Sequence, residues 1–111
     1  MNKILLIFII AFLFIISSFT YYIKFSDRAI TGKKNWQNTH KIKIGMDSLQ
    51  VKIIMGEPII VYYHSSDNNG TSYLYENMPL ESELPTIDFD SSGIVVGFLG
   101  DSSGNIRYIT K

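Results

Sequence analysis

The chain has 111 residues without a single cysteine, and it contains only three prolines, two histidines and one tryptophan. The absence of cysteine excludes disulfide bonds, thiolate metal sites, a cysteine nucleophile and a lipid attached through an N-terminal cysteine. A net charge is also lacking, because ten basic residues balance ten acidic ones. The acidic residues concentrate in the C-terminal half, and this acidity argues against a nucleic-acid partner.

Recognisable catalytic patterns are lacking too. His40 and His64 have no second metal ligand at a known spacing, and the serines do not form a Gly-x-Ser-x-Gly elbow. A carboxylate pair could come from Glu81, Glu83, Asp88 and Asp90, but nothing in the sequence fixes their separation, and a solvated acidic edge explains them better. We therefore expect no enzymatic activity, no cofactor, no bound metal and no small-molecule substrate.

The sharpest metal-like pattern is the segment Ser65–Glu76, SSDNNGTSYLYE, which spaces oxygen ligands as in a calcium-binding EF-hand loop. The first ligand position is a serine where a carboxylate is expected. The flanking residues are tyrosine-rich and typical of strands, whereas an EF-hand needs a helix on each side. We therefore interpret Ser65–Gly70 as the loop of a β-hairpin.

A long apolar run occupies the start of the chain. Ile4–Ile16 is uninterrupted, and the whole span Ile4–Ile23 would be about 30 Å long as a helix, which is enough to cross a bilayer. We expect residues 1–25 to be a retained transmembrane anchor. A cleaved signal peptide is the alternative, because Asn2 and Lys3 resemble a short basic leader, although no Ala-x-Ala cleavage pattern follows.

Basic residues follow the apolar run within about fifteen residues, and the positive-inside tendency makes them favour a cytoplasmic domain. The same basic stretch could instead lie against anionic headgroups of either leaflet, or could be an ordinary solvated linker. The candidate lipid contacts are Lys33, Lys34, Lys41 and Lys43.

Residues 26–41 are polar and are broken by Gly32, which indicates a basic linker that ends in a short, weak helix over 34–41. Residues 42–111 form the predicted folded domain. Trp36 is interpreted as a packing residue.

A short helix is predicted after Gly45. Asp47 and Gln50 have the spacing of a capping box at its start, while Gly56 suits a left-handed residue just past its end and Pro58 prevents continuation. The spacing of three and four residues predicts that Met46, Leu49 and Ile53 form its buried face.

The remaining sequence alternates and is rich in β-branched and aromatic residues, which predicts antiparallel strands. Two Asp-Ser-Ser-Gly turns, at 90–93 and 101–104, separate the last three of them and indicate a meander. The predicted strands are Ile59–His64, Thr71–Glu76, Thr86–Phe89, Ile94–Leu99 and Ile106–Thr110. The expected fold is α+β, a short helical layer packed on this sheet.

The segment 41–97 resembles the SmpA/OmlA domain of the BamE family. The matching residues are Ile42–Asp47, Gln50-Val51 and Met55–Pro58 in the helical part, followed by Tyr73–Tyr75 and the hairpin Ile87–Val95. The resemblance implies a small two-helix domain with three to five antiparallel strands. It also implies a non-catalytic role in protein or lipid contact at the cell envelope, in outer-membrane protein assembly or envelope integrity.

Two departures from the family pattern affect what the resemblance implies. The lipobox cysteine is absent, so the N-terminal helix would replace the lipid anchor, and the second Asp-Ser-Ser-Gly turn suggests an added edge strand. We expect a single-pass membrane protein with its domain on the extracytoplasmic, periplasmic side, or a secreted protein if the leader is cleaved. An envelope protein is the expected partner, and the candidate contacts are Tyr62, Tyr63, Tyr73 and Tyr75 because tyrosine supplies a large, rigid contact area.

Overall fold

The structure is a computed structural model that describes residues 2–64, 70–102 and 105–110. It has an α+β architecture of three helices, one 3₁₀ turn and a five-stranded antiparallel sheet. The helices are α1 (Lys3–Phe25), α2 (Asp27–Asn38) and α3 (Ser48–Met55), and the 3₁₀ turn is Thr39–Lys41. The strands are β1 (Ile60–Tyr63), β2 (Thr71–Leu74), β3 (Thr86–Phe89), β4 (Val95–Ser102) and β5 (Asn105–Thr110).

The apolar N-terminal run forms α1. Its 23 residues correspond to about 34 Å of helix, and the Asn2 side chain caps it by accepting a hydrogen bond from the Ile4 N–H. None of the α1 side chains, all of which the structure describes, is buried against the rest of the chain. By length and composition α1 is therefore able to cross a membrane.

The predicted linker is instead a helix of the folded domain. Ser26 interrupts the helical backbone and caps α2, since its Oγ accepts a hydrogen bond from the Ala29 N–H at 3.1 Å. Helix α2 then runs from Asp27, well before the predicted start near Lys34. Sequence reasoning missed the part of α2 before Lys34 because the buried residues there, Ala29 and Gly32, are small and give a weak helical pattern.

One buried asparagine fastens α2 to the segment between β2 and β3. The Trp36 indole Nε1 donates to the Asn77 side-chain Oδ1 at 2.8 Å, and the same oxygen accepts from the Met78 N–H. The Asn77 amide nitrogen donates to the carbonyl oxygens of Glu81 and Glu83. All the hydrogen-bonding groups of a side chain that is 2% exposed are thereby satisfied.

Polar contacts at the edge of α2 strengthen this attachment. Arg28 forms an ion pair with Glu76 at 3.0 Å, and the Asn35 amide donates to the Glu76 carbonyl. A methyl group on Gly32 would lie 2.3 Å from the backbone of Asn77 and Met78, so only glycine permits this approach.

The predicted ends of α3 are correct, but of its predicted buried face only Met46, which packs partly buried against the core, is confirmed. Asp47 and Gln50 form the reciprocal capping box, and Gly56 follows the helix with a φ of 83°. The buried residues are Val51 and Met55, whereas Leu49 and Ile53 are 66% and 77% exposed. The N-terminal approach to the helix explains the difference, because Gly45 and Met46 pair with Val95 of β4 and so orient the helix.

The sheet has the strand order β1-β2-β3-β4-β5, which confirms the predicted meander. In the first Asp-Ser-Ser-Gly turn, the Asp90 carboxylate accepts from the N–H groups of Ser92 and Ile94, and Gly93 takes a φ of 79°. The second such turn, the hairpin loop over 65–69 and most of the EF-hand-like ligands lie outside the described residues.

The core lies between α3 and the inner face of the sheet. Cross-strand partners such as Tyr73, Ile87 and Phe98 share this face by the observed register. The buried members of the core are Ile42, Val51, Met55, Tyr75, Ile87, Phe89, Val95 and Phe98.

Candidate partner-binding surface

Strand alternation separates the four predicted contact tyrosines into two groups. Tyr63 and Tyr73 lie on the inner face of the sheet, since Val61 pairs with Tyr73 and Tyr63 pairs with Thr71. Tyr62 pairs with Ser72 and lies on the outer face. The tyrosines therefore do not share one surface, but the two on β1 are adjacent at the edge of the sheet.

Tyr75 does not belong to a contact surface. It is 1% exposed, it packs in the core, and its hydroxyl donates to the Gly56 carbonyl at 3.0 Å. Burial raises the pKa of Tyr75, and the neighbouring Tyr73 and Glu57 add to this increase. The structure thus corrects the prediction for this residue: Tyr75 fixes the end of α3 to the sheet.

Tyr73 is half-buried and belongs to the wall of the core. Its ring contacts Phe89 edge-on at 4.6 Å between ring centroids, and the Lys52 ammonium lies 5.7 Å from the ring centroid. A partner could therefore reach only part of the Tyr73 side chain.

The edge strand β1 exposes apolar side chains on both faces of the sheet. Tyr62 is 58% exposed and Tyr63 is 75% exposed, and the other residues of the strand are exposed as well. We call this surface the β1 patch, and it consists of Ile59, Ile60, Val61, Tyr62 and Tyr63. An apolar surface of this kind at a sheet edge is typical of an interaction site.

Helix α3 leaves the inner side of the β1 patch open. A groove of about 320 Å³ lies there, bounded by Lys52 on α3, by Val61 and Tyr63 on β1, and by the first turn at Asp90. With only 8 residues, α3 does not cover the edge of the sheet. The exposure of Val61 and Tyr63, on the inner side of the patch, is therefore a consequence of the short helix.

A polar network crosses the outer face of the sheet. The Ser72 hydroxyl donates to Asp88, the Tyr108 hydroxyl donates to the second oxygen of Asp88, and His64 Nε2 lies 2.7 Å from Ser72 Oγ. Burial raises the pKa of Tyr108 to about 12, with further contributions from its hydrogen bond to Asp88 and from that carboxylate's charge. Sequence reasoning missed this network, although alternation and hairpin pairing place its members on one face.

This network does not have the arrangement of a hydrolase. In a Ser-His-Asp triad the histidine lies between the serine and the acid and removes the serine proton. Here the serine lies in the middle, and its only proton is donated to Asp88, so His64 can act only as a donor to it. The network links β1, β2, β3 and β5, and it supplies no activated nucleophile.

The carboxylate pair that the sequence disfavours is not assembled. Glu81 and Glu83 are exposed in the connection between β2 and β3, while Asp88 is engaged by Ser72 and Tyr108 on the sheet. Within residues 2–64, 70–102 and 105–110, no cluster of three or more metal-ligating His, Asp or Glu side chains occurs.

The four lysines predicted to contact lipid are all exposed. Lys33 also lines a groove of about 520 Å³ beside the end of α1, together with Lys24, Phe25, Trp36 and Met78. The groove combines two ammonium groups and the Asp101 carboxylate with apolar side chains, next to the helix that is able to cross a membrane.

Comparison with known proteins agrees with the fold. The family described as the outer membrane protein assembly factor BamE domain matches residues 35–98, which is more than half of the chain. This segment begins within α2 and ends in β4. Neither a curated protein nor a solved structure gives a significant match. The chain therefore belongs to the BamE domain family, and this membership indicates a role related to outer membrane protein assembly.

Proposed function

We propose that this protein is a non-catalytic binding module of the cell envelope. Helix α1 tethers it to a membrane, and its folded domain binds a protein partner through the β1 patch. The observation that carries the proposal is the exposure of five consecutive apolar residues at an edge of the sheet. Soluble surfaces rarely expose such a continuous apolar patch without a function. Tyrosine is also among the residues that contribute most to protein interfaces.

The anchor supports the tethering part of the proposal. Helix α1 is apolar, none of its side chains is buried, and the extended backbone of Ser26 separates it from α2. The aromatic residues Tyr21, Tyr22 and Phe25 near its end suit the headgroup region. We propose that the domain lies on the periplasmic side of the membrane that holds α1, which the family's link to outer membrane protein assembly supports.

A crosslinking experiment in native membranes tests the partner site. A photoreactive residue replaces Tyr63 in one full-length variant and Ile53 in a control variant, because both side chains are highly exposed but only Tyr63 lies in the β1 patch. We expect a discrete crosslinked product from position 63 only. Equal products from both positions, or none from position 63, would contradict the assignment of the partner site.

Protease digestion tests the placement of the domain. The domain should resist added protease in intact cells and become accessible when the outer membrane is removed to give spheroplasts. Protection that persists in spheroplasts would place the domain in the cytoplasm. Release of a shorter, soluble protein without α1 would indicate leader cleavage.

Lipid contact is a second candidate function, and the groove beside α1 favours it. Lys24 and Lys33 line the groove, and Lys34, Lys41 and Lys43 are exposed nearby in the sequence. Binding of the full chain to an anionic vesicle surface should weaken steeply with salt, and replacing Lys33 by glutamine should reduce it. Salt-independent binding, or an unchanged affinity in Lys33→Gln, would rule out this role.

A further inference from the structure

Strand β1 leaves one side of its backbone open. It is the first strand in the sheet order, it pairs only with β2, and no other described strand lies on its outer side. An edge strand presents a row of N–H and C=O groups that can pair with another extended chain.

The register identifies which backbone groups face outward. His64 N–H donates to the Gly70 carbonyl, so His64 and Gly70 are a hydrogen-bonded pair. Opposed residues in antiparallel strands alternate between hydrogen-bonded and non-hydrogen-bonded pairs, which makes Tyr62 the next bonded residue of β1. The N–H and C=O groups of Val61 and Tyr63 therefore point to the open edge.

Within Ile60–Tyr63 the open edge of β1 has no charged residue and no proline, two of the features that usually prevent strand addition. Natural edges are protected by charged side chains, proline or bulges. The residues of β1 carry no charge and no proline, whereas the opposite edge strand, β5, contains Arg107. Of the two edge strands in the described part of the sheet, β1 is the one that combines outward backbone groups with an uncharged apolar surface.

The size of the patch distinguishes between kinds of occupant. A whole aromatic side chain has a surface of roughly 200 Å². From their exposed fractions, Tyr62 and Tyr63 together therefore offer on the order of 250 Å² to a partner, and the three aliphatic residues of the patch offer less. A stable interface between globular proteins, including two copies of one chain, usually buries about 800 Å² on each partner. The side chains of the patch alone are too small for that.

We infer that the partner adds an extended segment antiparallel or parallel to β1, as a further strand of the sheet. Its main chain pairs with Val61 and Tyr63, and these hydrogen bonds supply the affinity that the small side-chain area lacks. Because both faces of β1 are apolar at the edge, the segment is uncharged and rich in β-branched and aromatic residues on both faces. This inference rests on the proposed function, and it specifies the binding mode and the chemistry of the partner.

A synthetic peptide tests the inference against the full-length protein in lipid nanodiscs. The probe is a short fluorescent peptide of valine, threonine and tyrosine with lysines at its ends for solubility. Its matched control has the same side chains but carries N-methyl groups on alternate amides, which removes its strand-pairing donors. Fluorescence anisotropy should show binding of the probe and not of the N-methylated control.

A proline variant tests the backbone of the protein itself. Val61→Pro removes an outward N–H without removing a bond to β2, since that N–H faces the open edge. Loss of one hydrogen bond should weaken the peptide about three- to tenfold. Val61→Thr keeps the N–H and the β-branched shape, and it should bind like the unmodified protein. In the unmodified protein, the peptide should slow amide hydrogen exchange at Val61 and Tyr63.

The failures of the two proposals are distinguishable. If the position 63 crosslink is present but the probe fails to bind, binds as well when N-methylated, or leaves the exchange of Val61 and Tyr63 unchanged, strand addition is wrong and the patch binds through side chains. A concentration-dependent dimer that Val61→Pro abolishes would overturn the assignment to a foreign segment. Loss of the crosslink itself would overturn the proposed function.

Discussion

Replacing Asn77 by aspartate should destabilise the domain severely, because the side-chain nitrogen that it removes donates two buried hydrogen bonds. The amide nitrogen of Asn77 donates to the carbonyl oxygens of Glu81 and Glu83 at 2.9 and 2.7 Å. In Asn77→Asp an acceptor oxygen takes its place and faces two other acceptors. The bonds from Trp36 and Met78 to Oδ1 remain possible.

The expected loss follows from these contacts. Two hydrogen bonds disappear at about 1 kcal/mol each, and two carbonyls and a charge are left in a buried site, for a total of about 3 kcal/mol or more. For a domain of this size that corresponds to a fall in Tm of about 12 °C or more. Lowering the pH should recover part of the loss, because the protonated carboxyl can donate to one carbonyl.

The assay is urea unfolding of the detergent-solubilised chain, followed by the fluorescence of the single tryptophan, which contacts Asn77. Gln37→Glu is the matched control, since it makes the same amide-to-carboxyl change on the exposed side of α2. The reasoning is refuted if the free energy of unfolding of Asn77→Asp lies within about 0.5 kcal/mol of that control.

Three further predictions concern other parts of the fold. Gly32→Ala should lower the free energy of unfolding by about 1–3 kcal/mol, because the new methyl group would lie 2.3 Å from the backbone of Asn77; urea unfolding with the exposed Thr31→Ala as control measures this. Asp47→Ala removes the capping box of α3 and should cost about 1 kcal/mol, and an unchanged unfolding midpoint would show that the cap contributes nothing. Tyr108 should retain its proton in the folded state until about pH 12. The contribution of the protonated Tyr108 hydroxyl to the stability of the fold is then complete below pH 10 and is lost as the pH rises towards 12. The difference between the absorbance titrations of the unmodified chain and of Tyr108→Phe gives the midpoint of the Tyr108 ionisation.

The parts of the fold that depend on local chemistry could be predicted from the sequence. Asp47 and Gly56 define α3 through hydrogen bonds and a backbone angle within a few residues. The first Asp-Ser-Ser-Gly turn likewise depends only on the Asp90 side chain and its near neighbours. The strands and their meander order followed from alternation and from such turns.

The parts that depend on distant residues could not be predicted. Helix α2 is stabilised by Asn77, forty-one positions after Trp36, and no local pattern indicates that pairing. The buried face of α3 depends on how residues before it pair with β4, and a helix of two turns offers too few positions to identify its face.

The candidate site shows the same division. Alternation assigns Tyr62 and Tyr63 to opposite faces, and this much is local. Which tyrosines are exposed depends on the coverage of the sheet by α3: Tyr75 lies under the helix end, and Tyr63 lies beyond it. Burial of one tyrosine and exposure of another therefore required the three-dimensional packing.

The most direct test of the account is the amount of assembled outer membrane protein in cells whose only copy of this protein carries Tyr62→Ala and Tyr63→Ala together. A second strain carries Leu49→Ala and Ile53→Ala, which remove exposed apolar side chains outside the β1 patch. The account predicts reduced assembly in the first strain and normal assembly in the second, with equal amounts of folded variant protein in both. Normal assembly in the first strain would contradict it.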